Sequence, residues 1–512
     1  MRILIAALHA GYYRNLEPVV EALADRGHEI FLGTERKESA GGGQSIVDRL
    51  AEGRPNVRVG VVPRREKDDL FIASKVRLSL DYLRYLDPAY GDTAALRQRA
   101  VVRTPTGAVR LAHGGVFASP GGRRRLSRLL DRIDHAMAPS PAIERFLDAE
   151  RPDVVIVTPL VGLVVSSQLD LLRAAQARRI PTGVAVWSWD HLSSKAIIRD
   201  WPDRLFVWND VQRDEAVTMH GIPQERIVVT GAQNFDRWFD RQPSLPRTGF
   251  AARVGLPDSE PYVLWVCSAL FPGSPSEAEF VMEWIAQLRQ SSDPVLRNLA
   301  VLIRPHPSRA KEWEAVDWSR YGRTAFWGGN PIDEQSRNDY FDSLHYSAAV
   351  VGLNTSAFIE AGIVGRPVMA IMPEAFRMNQ EGTLHFRYLQ TVGGGLLTTS
   401  RSLAEHEAQL SAMLAGPPVE VLARQQRFVE AFVRPRGLHV PATGVMVEAV
   451  EALGTLRPET PQDQAGVVGR VGLSVLRKIE RSSGGRKWLL DEREVQAKIR
   501  RAQEESRAVS WT

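Results

Sequence analysis

The sequence predicts an α/β protein of two domains, each built around a doubly wound parallel sheet. The chain has 512 residues, which is more than one hydrophobic core ordinarily accommodates. Short apolar runs that suit buried parallel strands alternate with stretches of helical periodicity. The alternation stops once, at residues 241–260, where proline, glycine and charged residues are frequent. A break of this composition is typical of a linker between domains.

The first βαβ unit shows the pattern clearly. Residues 2–8 form an apolar run, and Gly11 follows it. Apolar residues then recur at helical spacing over 16–26, before a second apolar run at 30–32. Gly11 therefore lies at the carboxyl end of the first strand, where a residue without a side chain lets the loop approach a bound ligand or phosphate closely.

The remaining elements are predicted from the same two periodicities. Further strands of the first domain are expected at 57–62, 154–158, 183–187, 204–208 and 227–230. Strands of the second domain are expected at 262–267, 300–304, 324–327, 348–353, 368–372 and 395–398. Its helices are expected at 276–289, 356–364, 403–414, 419–432 and 442–453.

The domain boundaries follow from this alternation. The first domain is predicted at 1–240, with an insert of helices and loops at about 64–140. The linker at 241–260 leads to the second domain at 261–454. Residues 455–512 form a basic tail, in which 12 Lys and Arg stand against 8 Asp and Glu, a net charge of +4.

Composition narrows the functional classes. The single cysteine, Cys267, excludes an intramolecular disulfide and a cysteine-based zinc site, and suits a reducing cytoplasm. The net charge of +5 is small for this length, so we expect no nucleic-acid partner. The apolar start of the chain is too short for a signal peptide, and the longest apolar stretch, 154–165, is too short to cross a bilayer. A cytoplasmic protein is expected.

The tail leaves three alternatives. Residues 467–479 are weakly amphipathic and residues 491–507 are highly charged. A solvated tail is favoured, with a membrane-surface helix or an oligomer contact as the alternatives. Peripheral contact with the inner face of a membrane therefore stays open.

The clearest chemical motif spans residues 348–372. A buried strand leads into Asn354, Thr355 and Ser356, all good helix N-caps. The free N–H groups of a helix opening there would point out of the carboxyl edge of the sheet, an arrangement that binds phosphate. Glu360, about one turn further on, could reach a ribose hydroxyl. The alternative is an ordinary capped helix.

A second motif is Arg304-Pro305-His306-Pro307, at the end of a predicted strand. The prolines stiffen the turn, and Arg304 or His306 could neutralise a pyrophosphate or a leaving phosphate. The alternative is a buried histidine in a rigid turn. Ser268, after another predicted strand, could donate to a phosphate.

The third motif, residues 186–195, lies in the first domain. A carboxylate or an imidazole at the end of a strand can act as a general base, and Asp190 and His191 are the candidates. Lys195 could face a phosphate or an acidic acceptor. Asp190 could equally serve as a helix cap.

These segments resemble those of a known group of enzymes. The 348–372 block resembles UDP-N-acetylglucosamine 2-epimerases, in which a Ser-Gly-Gly loop opens a helix that carries Glu-Glu and is followed by Gly-Lys-Pro-Val. It is also similar to CDP-glycerol glycerophosphotransferases, where Arg-Pro-His-Pro is common, and to surface-polysaccharide transferases. In this chain Asn354 and Ile359 replace the Ser and the first Glu of the epimerase pattern. Residues 188–195 resemble a Ser-Trp-Asp-Asn-Leu-Thr-Ser-Lys stretch, with His191 in place of its Asn.

Two further stretches carry the same resemblance. Residues 229–236 resemble a Val-Thr-Gly-x-x-x-x-Asp hinge segment, and residues 380–382 resemble the epimerase loop after the next strand. The resemblance implies the GT-B fold, in which two Rossmann-like domains face each other across a cleft and the second holds the nucleotide diphosphate. By position it assigns residues 354–356 to phosphate binding and Glu360 to the ribose.

The function expected from this resemblance is transfer of a sugar or a polyol phosphate from a nucleotide-activated donor to a bacterial cell-surface glycan or a lipid-linked acceptor. The transfer is expected to be inverting, with no metal and no cofactor beyond the donor substrate. Two alternatives stay open, namely a sugar-nucleotide 2-epimerase and a non-catalytic nucleotide-binding scaffold.

Overall fold

The computed structural model describes residues 1–37, 42–160, 166–195, 197–258, 260–459, 461 and 463–496. The chain forms two compact units. The first unit comprises Met1–Val207, Gln212–Val228 and Val447–Thr512, and the second comprises Trp208–Val211 and Val229–Met446. Part of the charged end predicted at 491–507 therefore lies outside the described residues.

The first unit contains a seven-stranded sheet in the order β3-β2-β1-β4-β5-β6-β7. Its strands are β1 (Arg2–Ala7), β2 (Glu29–Thr34), β3 (Val57–Val61), β4 (Val154–Thr158), β5 (Thr182–Ala185), β6 (Arg204–Val207) and β7 (Ile227–Val229). The strand β1 pairs in parallel with both β2 and β4, so the strand order reverses beside it. Ligands of such sheets bind at this reversal, outside the carboxyl ends of the strands.

The turn after β1 is anchored by Tyr13. Its buried hydroxyl donates to the carbonyl oxygens of Ile5, at 2.7 Å, and Gly33, at 2.8 Å. Because two acceptors lie within hydrogen-bond distance of one phenol, the turn is held against the ends of β1 and β2. The residues that precede Tyr13 are thereby fixed at the carboxyl edge of the sheet.

The second unit contains a six-stranded parallel sheet in the order β10-β9-β8-β11-β12-β13. Its strands are β8 (Tyr262–Val266), β9 (Ala300–Arg304), β10 (Thr324–Phe326), β11 (Ala349–Gly352), β12 (Val368–Ile371) and β13 (Thr398–Ser400). On one face, Trp265 of β8 and Trp284 pack with ring centroids 4.9 Å apart, both fully buried. The two sheets confirm the predicted α/β fold class.

The helices cover both sheets and fill the insert. Those of the first unit are α1 (Glu17–Asp25), α2 (Gly43–Ala51), α3 (Lys67–Arg84), α4 (Ala94–Val101), α5 (Thr106–His113), α6 (Pro120–His135), α7 (Pro141–Glu150), α8 (Gln168–Ala177), α9 (His191–Ser194) and α10 (Asp210–His220). Those that follow are α11 (Asp236–Asp240), α12 (Arg247–Val254), α13 (Glu277–Gln290), α14 (Pro294–Arg297), α15 (Glu334–His345), α16 (Ala357–Ile363), α17 (Leu384–Thr391), α18 (Leu403–Ala415), α19 (Val419–Phe432), α20 (Ala442–Gly454), α21 (Gly466–Arg481) and α22 (Ser483–Leu489).

One predicted strand is displaced. The sequence places a strand at 395–398, whereas β13 begins at Thr398. Gly393, Gly394 and Gly395 have φ values of 60°, 92° and 93°, which strand residues do not adopt. The three glycines form a turn, and pairing with β12 begins only after it.

The tail is not a solvated segment where the structure describes it. Leu473 of α21 is buried in a cluster with residues of α3 and α6, including Ile72, Val76 and Ile133. Beyond α22, the Lys75 ammonium group contacts the carboxylate of Glu494 at 2.5 Å. The favoured expectation of a solvated tail is therefore wrong for α21 and α22, because their apolar side chains cover the helical insert. Among the described residues, no helix has the length and apolar character needed to cross a bilayer.

Candidate functional site

The loops at the carboxyl edge of the second sheet are linked to one another by hydrogen bonds. The hydroxyl of Ser268, just after β8, accepts from the backbone N–H of Asn354, just after β11, at 3.1 Å. The Asn354 side-chain amide donates to the carbonyl of Asn379 at 2.5 Å. Gln380 donates to the carbonyls of Leu353 and Ile371, at 2.9 and 2.7 Å. Segments that follow three strands therefore hold residues 354–356 in place.

Thr355 and Ser356 present polar groups at this edge. Within the described part of the chain, their backbone N–H groups have no hydrogen-bond acceptor. Ser356 is exposed and its hydroxyl does not cap the helix, while the Thr355 hydroxyl accepts weakly from Ala357 N–H, at 3.4 Å. Two amides and a hydroxyl are thus available for an anion. The helix itself, α16, has 7 residues, so its dipole contributes less than the longer predicted helix would.

Glu360 lies on the exposed side of α16 and accepts a very short hydrogen bond from the Tyr340 hydroxyl. The Tyr340 ring lies edge-on to Trp238, with centroids 5.4 Å apart. A carboxylate, a phenol and an indole therefore lie together beside residues 354–356. This combination can hydrogen-bond vicinal hydroxyls and stack on a flat ring.

Arg304, at the end of β9, is buried rather than presented to solvent. Its guanidinium group lies over Tyr340, 4.8 Å from the ring centroid, and over Trp327, at 5.7 Å. Nη2 donates to the Gly329 carbonyl at 3.2 Å, and Nη1 has no partner among the described residues. Burial lowers its pKa, and the nearby Tyr340 and Glu360 oppose that shift. Arg304 thus packs against the Tyr340 ring, whose hydroxyl donates to Glu360.

His306 is half-buried and begins the 3-10 turn Pro307–Trp313. Its Nδ1 accepts from the backbone N–H of Ser308 at 3.2 Å. A neutral ring that accepts at Nδ1 carries its proton on Nε2, so His306 can donate a hydrogen bond from that atom. This chemistry suits contact with a phosphate oxygen.

A buried glutamate, Glu277, lies behind the loops at the carboxyl edge of the second sheet. Glu277 accepts from the backbone N–H of Ser268 at 2.8 Å and from the Trp265 indole at 3.2 Å. Burial raises the pKa of Glu277 to about 8, although both hydrogen bonds oppose the shift. Sequence patterns did not indicate this residue, because a glutamate in the first turn of a helix is ordinarily a surface residue.

In the first unit, Asp190 follows β5 and has three partners. Its carboxylate accepts from the hydroxyls of Ser188, at 2.5 Å, and Ser194, at 2.6 Å. It also pairs with the Lys195 ammonium group at 2.9 Å. A carboxylate with these partners organises its turn, and Lys195 belongs to the same cluster. The roles of Asp190 and Lys195 toward an acceptor stay predictions.

His191 is fully buried. Its Nδ1 accepts from the backbone N–H of Trp187 at 3.0 Å. Burial lowers the pKa of His191 to about 4, although the neighbouring Asp190 favours the charged form. The hydrogen bond from Trp187 holds this imidazole within its turn, and a catalytic role for His191 stays a prediction.

The residues after β1 supply an aromatic group that the sequence analysis missed. His9 and Tyr12 have ring centroids 4.4 Å apart, and Tyr12 lies edge-on to Trp187 at 4.9 Å. All three are half-buried, and Gly11 is buried in the 3-10 turn between them. The position of His9 after the first strand was the available signal. His9 therefore presents an imidazole at the carboxyl edge, next to the Trp187 turn.

These observations define a class of protein. Two Rossmann-like units with parallel sheets of seven and six strands, each with polar and aromatic residues after its strands, constitute the GT-B fold. Solved structures similar to this chain include UDP-GlcNAc 2-epimerases and a glycosyltransferase.

Three of them show the extent of the likeness. A UDP-GlcNAc 2-epimerase from Neisseria meningitidis, bound to UDP-GlcNAc, has a TM-score of 0.51 and 12% identity, covering 88% of this chain and 100% of its own. MnaA of S. aureus, solved with UDP, has a TM-score of 0.50 and 12% identity, covering 90% and 99%. A glycosyltransferase from Rickettsia africae has a TM-score of 0.49 and 9% identity, covering 89% and 99%. No protein-family profile matches the chain, and no curated protein matches it in sequence. At 12% identity and TM-scores of 0.51 and 0.50, the likeness to the first two establishes the fold.

Proposed function

We propose that the protein is a nucleotide-sugar-dependent transferase, which moves a sugar or a polyol phosphate onto a hydroxyl of a cell-surface glycan or glycolipid precursor. The observation that carries the proposal is the Tyr340–Glu360 pair beside the unpaired amides of Thr355 and Ser356. An acid–phenol pair for a ribose next to donors for a diphosphate matches the two polar parts of a nucleoside diphosphate.

The second unit holds the donor in this proposal. Glu360 accepts from ribose hydroxyls, and Trp238 or Tyr340 offers a ring face to the base. The amides of Thr355 and Ser356, the Ser356 hydroxyl and His306 Nε2–H donate to the diphosphate oxygens as negative charge builds on the leaving group. Since these donors are neutral, they stabilise the leaving group by hydrogen bonding, and we propose that no metal is needed. Arg304 acts as a positioning residue behind them.

The first unit holds the acceptor, with His9 as the base. His191 is buried and Asp190 already accepts from two hydroxyls and pairs with Lys195. Half-buried His9 accepts the proton of the acceptor hydroxyl while the hydroxyl oxygen bonds to the donor carbon or phosphorus. The nucleotide leaves with the electron pair of the broken bond. Tyr12 and Trp187 provide the apolar surface on which a sugar ring stacks.

The proposal is tested with a panel of UDP-, CDP- and GDP-sugars and CDP-glycerol, followed by chromatography of the products. A transferase releases free nucleotide in the presence of an acceptor hydroxyl. An epimerised donor would identify the alternative isomerase, and binding without any product would identify the scaffold.

Binding by calorimetry tests the site itself. Glu360→Ala and Ser356→Ala should each weaken nucleoside diphosphate binding, by about tenfold or more for the charged acceptor Glu360. Glu283→Gln is the matched control, since this exposed glutamate lies on α13 of the same unit. Undiminished binding by both site variants would refute the assignment.

A further inference from the structure

The helix α21 has two apolar faces, and the described residues cover only one of them. Gly469 and Leu473 are buried against the helical insert. The opposite face carries four valines that are about half exposed or more: Val467 at 74%, Val468 at 51%, Val471 at 57% and Val475 at 48%. Residues 467, 471 and 475 are spaced four apart, so they form one stripe along the helix.

This stripe is unusual for a surface helix. The solvent face of an amphipathic helix is ordinarily polar, and valine is also a weak helix former. Neither local helix stability nor contact with the insert accounts for valine at these positions. The stripe therefore indicates a surface that binds a partner outside this unit.

The next helix also carries an exposed apolar side chain. Trp488 of α22 is 47% exposed and rests against α5, where a side chain at Gly107 would clash with its ring. Leu111, one turn beyond Gly107 on α5, is also substantially exposed. Tryptophan at the edge of an exposed apolar surface is typical of contact with the interface of a bilayer, because its ring is apolar and its N–H is polar.

Cations surround this surface. Residues 465–490 contain six Lys and Arg and one acidic residue, Glu480, a net charge of +5. Among the described residues, Lys478, Arg481 and Lys487 form no ion pair. All three are exposed, and Lys478 lies within the valine stripe. Their charge is therefore available to an acidic partner.

The positive charge of this surface indicates which partner binds it. A second copy of this chain would bring its own Lys478, Arg481 and Lys487 against the same three cations, so self-association through this face is opposed. A bilayer that contains anionic lipid offers what the face lacks, namely negative headgroups for the cations and an apolar boundary for the valines and the indole. Each valine buries only a short side chain, so binding depends on both contributions.

We propose that α21 and α22 form a docking surface for membranes that contain anionic lipid. The helices are fixed to the insert through Leu473 and through the Lys75 contact with Glu494, so the surface is presented in a defined orientation. The inference does not depend on the proposed transferase activity. If both hold, the acceptor is a glycan carried on lipid, and the first unit meets it at the membrane.

The test is co-sedimentation of the full chain with vesicles, in the absence of any donor. Vesicles of phosphatidylcholine and phosphatidylglycerol in equal parts should bind the protein, and vesicles of phosphatidylcholine alone should bind it far less. The triple variant Val467→Ser, Val471→Ser and Val475→Ser should lower the affinity by about tenfold or more. Val419→Ser, at an 84%-exposed valine of α19, is the matched control and should bind normally.

A second variant separates the two contributions. Lys478→Glu combined with Arg481→Glu and Lys487→Glu should abolish the preference for phosphatidylglycerol and the loss of binding at high salt. The thermal melting temperature of each variant verifies folding, which exposed substitutions leave intact. Equal binding to both vesicle types, binding unaffected by both variants, or a dimer that the valine variant dissociates would each overturn the proposal. Because no substrate is present, a failure here leaves the proposed activity untouched, and the reverse also holds.

Discussion

The hydroxyl oxygen of Ser268 accepts a hydrogen bond from the backbone N–H of Asn354 at 3.1 Å, and so joins the loops after β8 and β11. The same serine donates its own backbone N–H to buried Glu277 at 2.8 Å. Ser268 is therefore one of the residues that hold the phosphate-binding segment proposed at 354–356 in place. The contact connects an internal acid to the edge of the sheet.

Ser268→Ala should weaken nucleoside diphosphate binding by about three- to tenfold, because the Asn354 amide loses its acceptor and the loop loses order. Calorimetric titration with UDP measures the effect. Ser347→Ala is the matched control, since this buried serine of the same unit donates to the Leu344 carbonyl at 2.8 Å and lies before β11, away from the carboxyl ends of the strands. Equal affinities for the two variants would show that Ser268 does not support the site.

His9→Gln should lower kcat by about 100-fold or more and leave donor binding unchanged, because a base acts on the acceptor during the chemical step. The pH–rate profile should also lose the limb that reports deprotonation of the imidazole. The comparison variant is His191→Gln. Its buried ring accepts from Trp187, so the substitution should lower the melting temperature rather than remove that limb. A His9→Gln enzyme with the normal pH profile would exclude His9 as the base.

Glu277→Gln should change how stability depends on pH. The folded-state pKa of Glu277 is raised from 4.5 to about 8, so the folded protein holds a proton that the unfolded chain releases. The stability that protonated Glu277 contributes is fully present below the pKa of the unfolded chain. It is lost as pH rises toward 8, by up to about 1.4 kcal/mol per pH unit. Urea unfolding between these limits should show this loss in the wild-type protein and a smaller loss in the variant.

The control for this prediction lies on the same helix. Glu283 of α13 is exposed, so Glu283→Gln should keep the pH dependence of the wild-type protein. The glutamine at 277 can accept through only one atom, and Ser268 and Trp265 both donate to this side chain, so an overall loss of stability is expected as well. The slope with pH is therefore the quantity to compare. Identical slopes for wild type and Glu277→Gln would contradict the raised pKa.

The strands were predictable because their signal is local. β4 consists of four apolar residues and a threonine, all five β-branched and buried, and the predicted and observed bounds are identical. The positions of the site residues after strands were predictable for the same reason. The chemical state of each side chain was not. Burial separates His191 from His9, and Arg304 is enclosed by Trp327 and Tyr340, which only the folded chain brings beside it.

The docking of the tail was unpredictable for a different reason. The covered face of α21 includes Gly469 and Gly472, which a hydrophobic pattern does not register. Glycine at these positions lets α21 approach α6 closely, and α6 lies more than 300 residues earlier in the chain. The exposed valines give the stronger apolar signal, and they lie on the other face.

This close approach gives the last prediction. A Cβ atom added at Gly469 would lie 2.2 Å from the Arg132 carbonyl oxygen and 2.7 Å from its carbon, so Gly469→Ala forces α21 away from α6. Because backbone atoms cannot yield as a flexible side chain does, we expect a cost of about 1–3 kcal/mol and a roughly 5- to 150-fold larger open population. Trypsin should then cleave after Arg477 and Lys478 correspondingly faster. Gly484→Ala is the control, because a Cβ there meets nothing within 4 Å, and its cleavage rate should equal that of the wild-type protein. Unchanged proteolysis of Gly469→Ala would show that α21 is not held against α6.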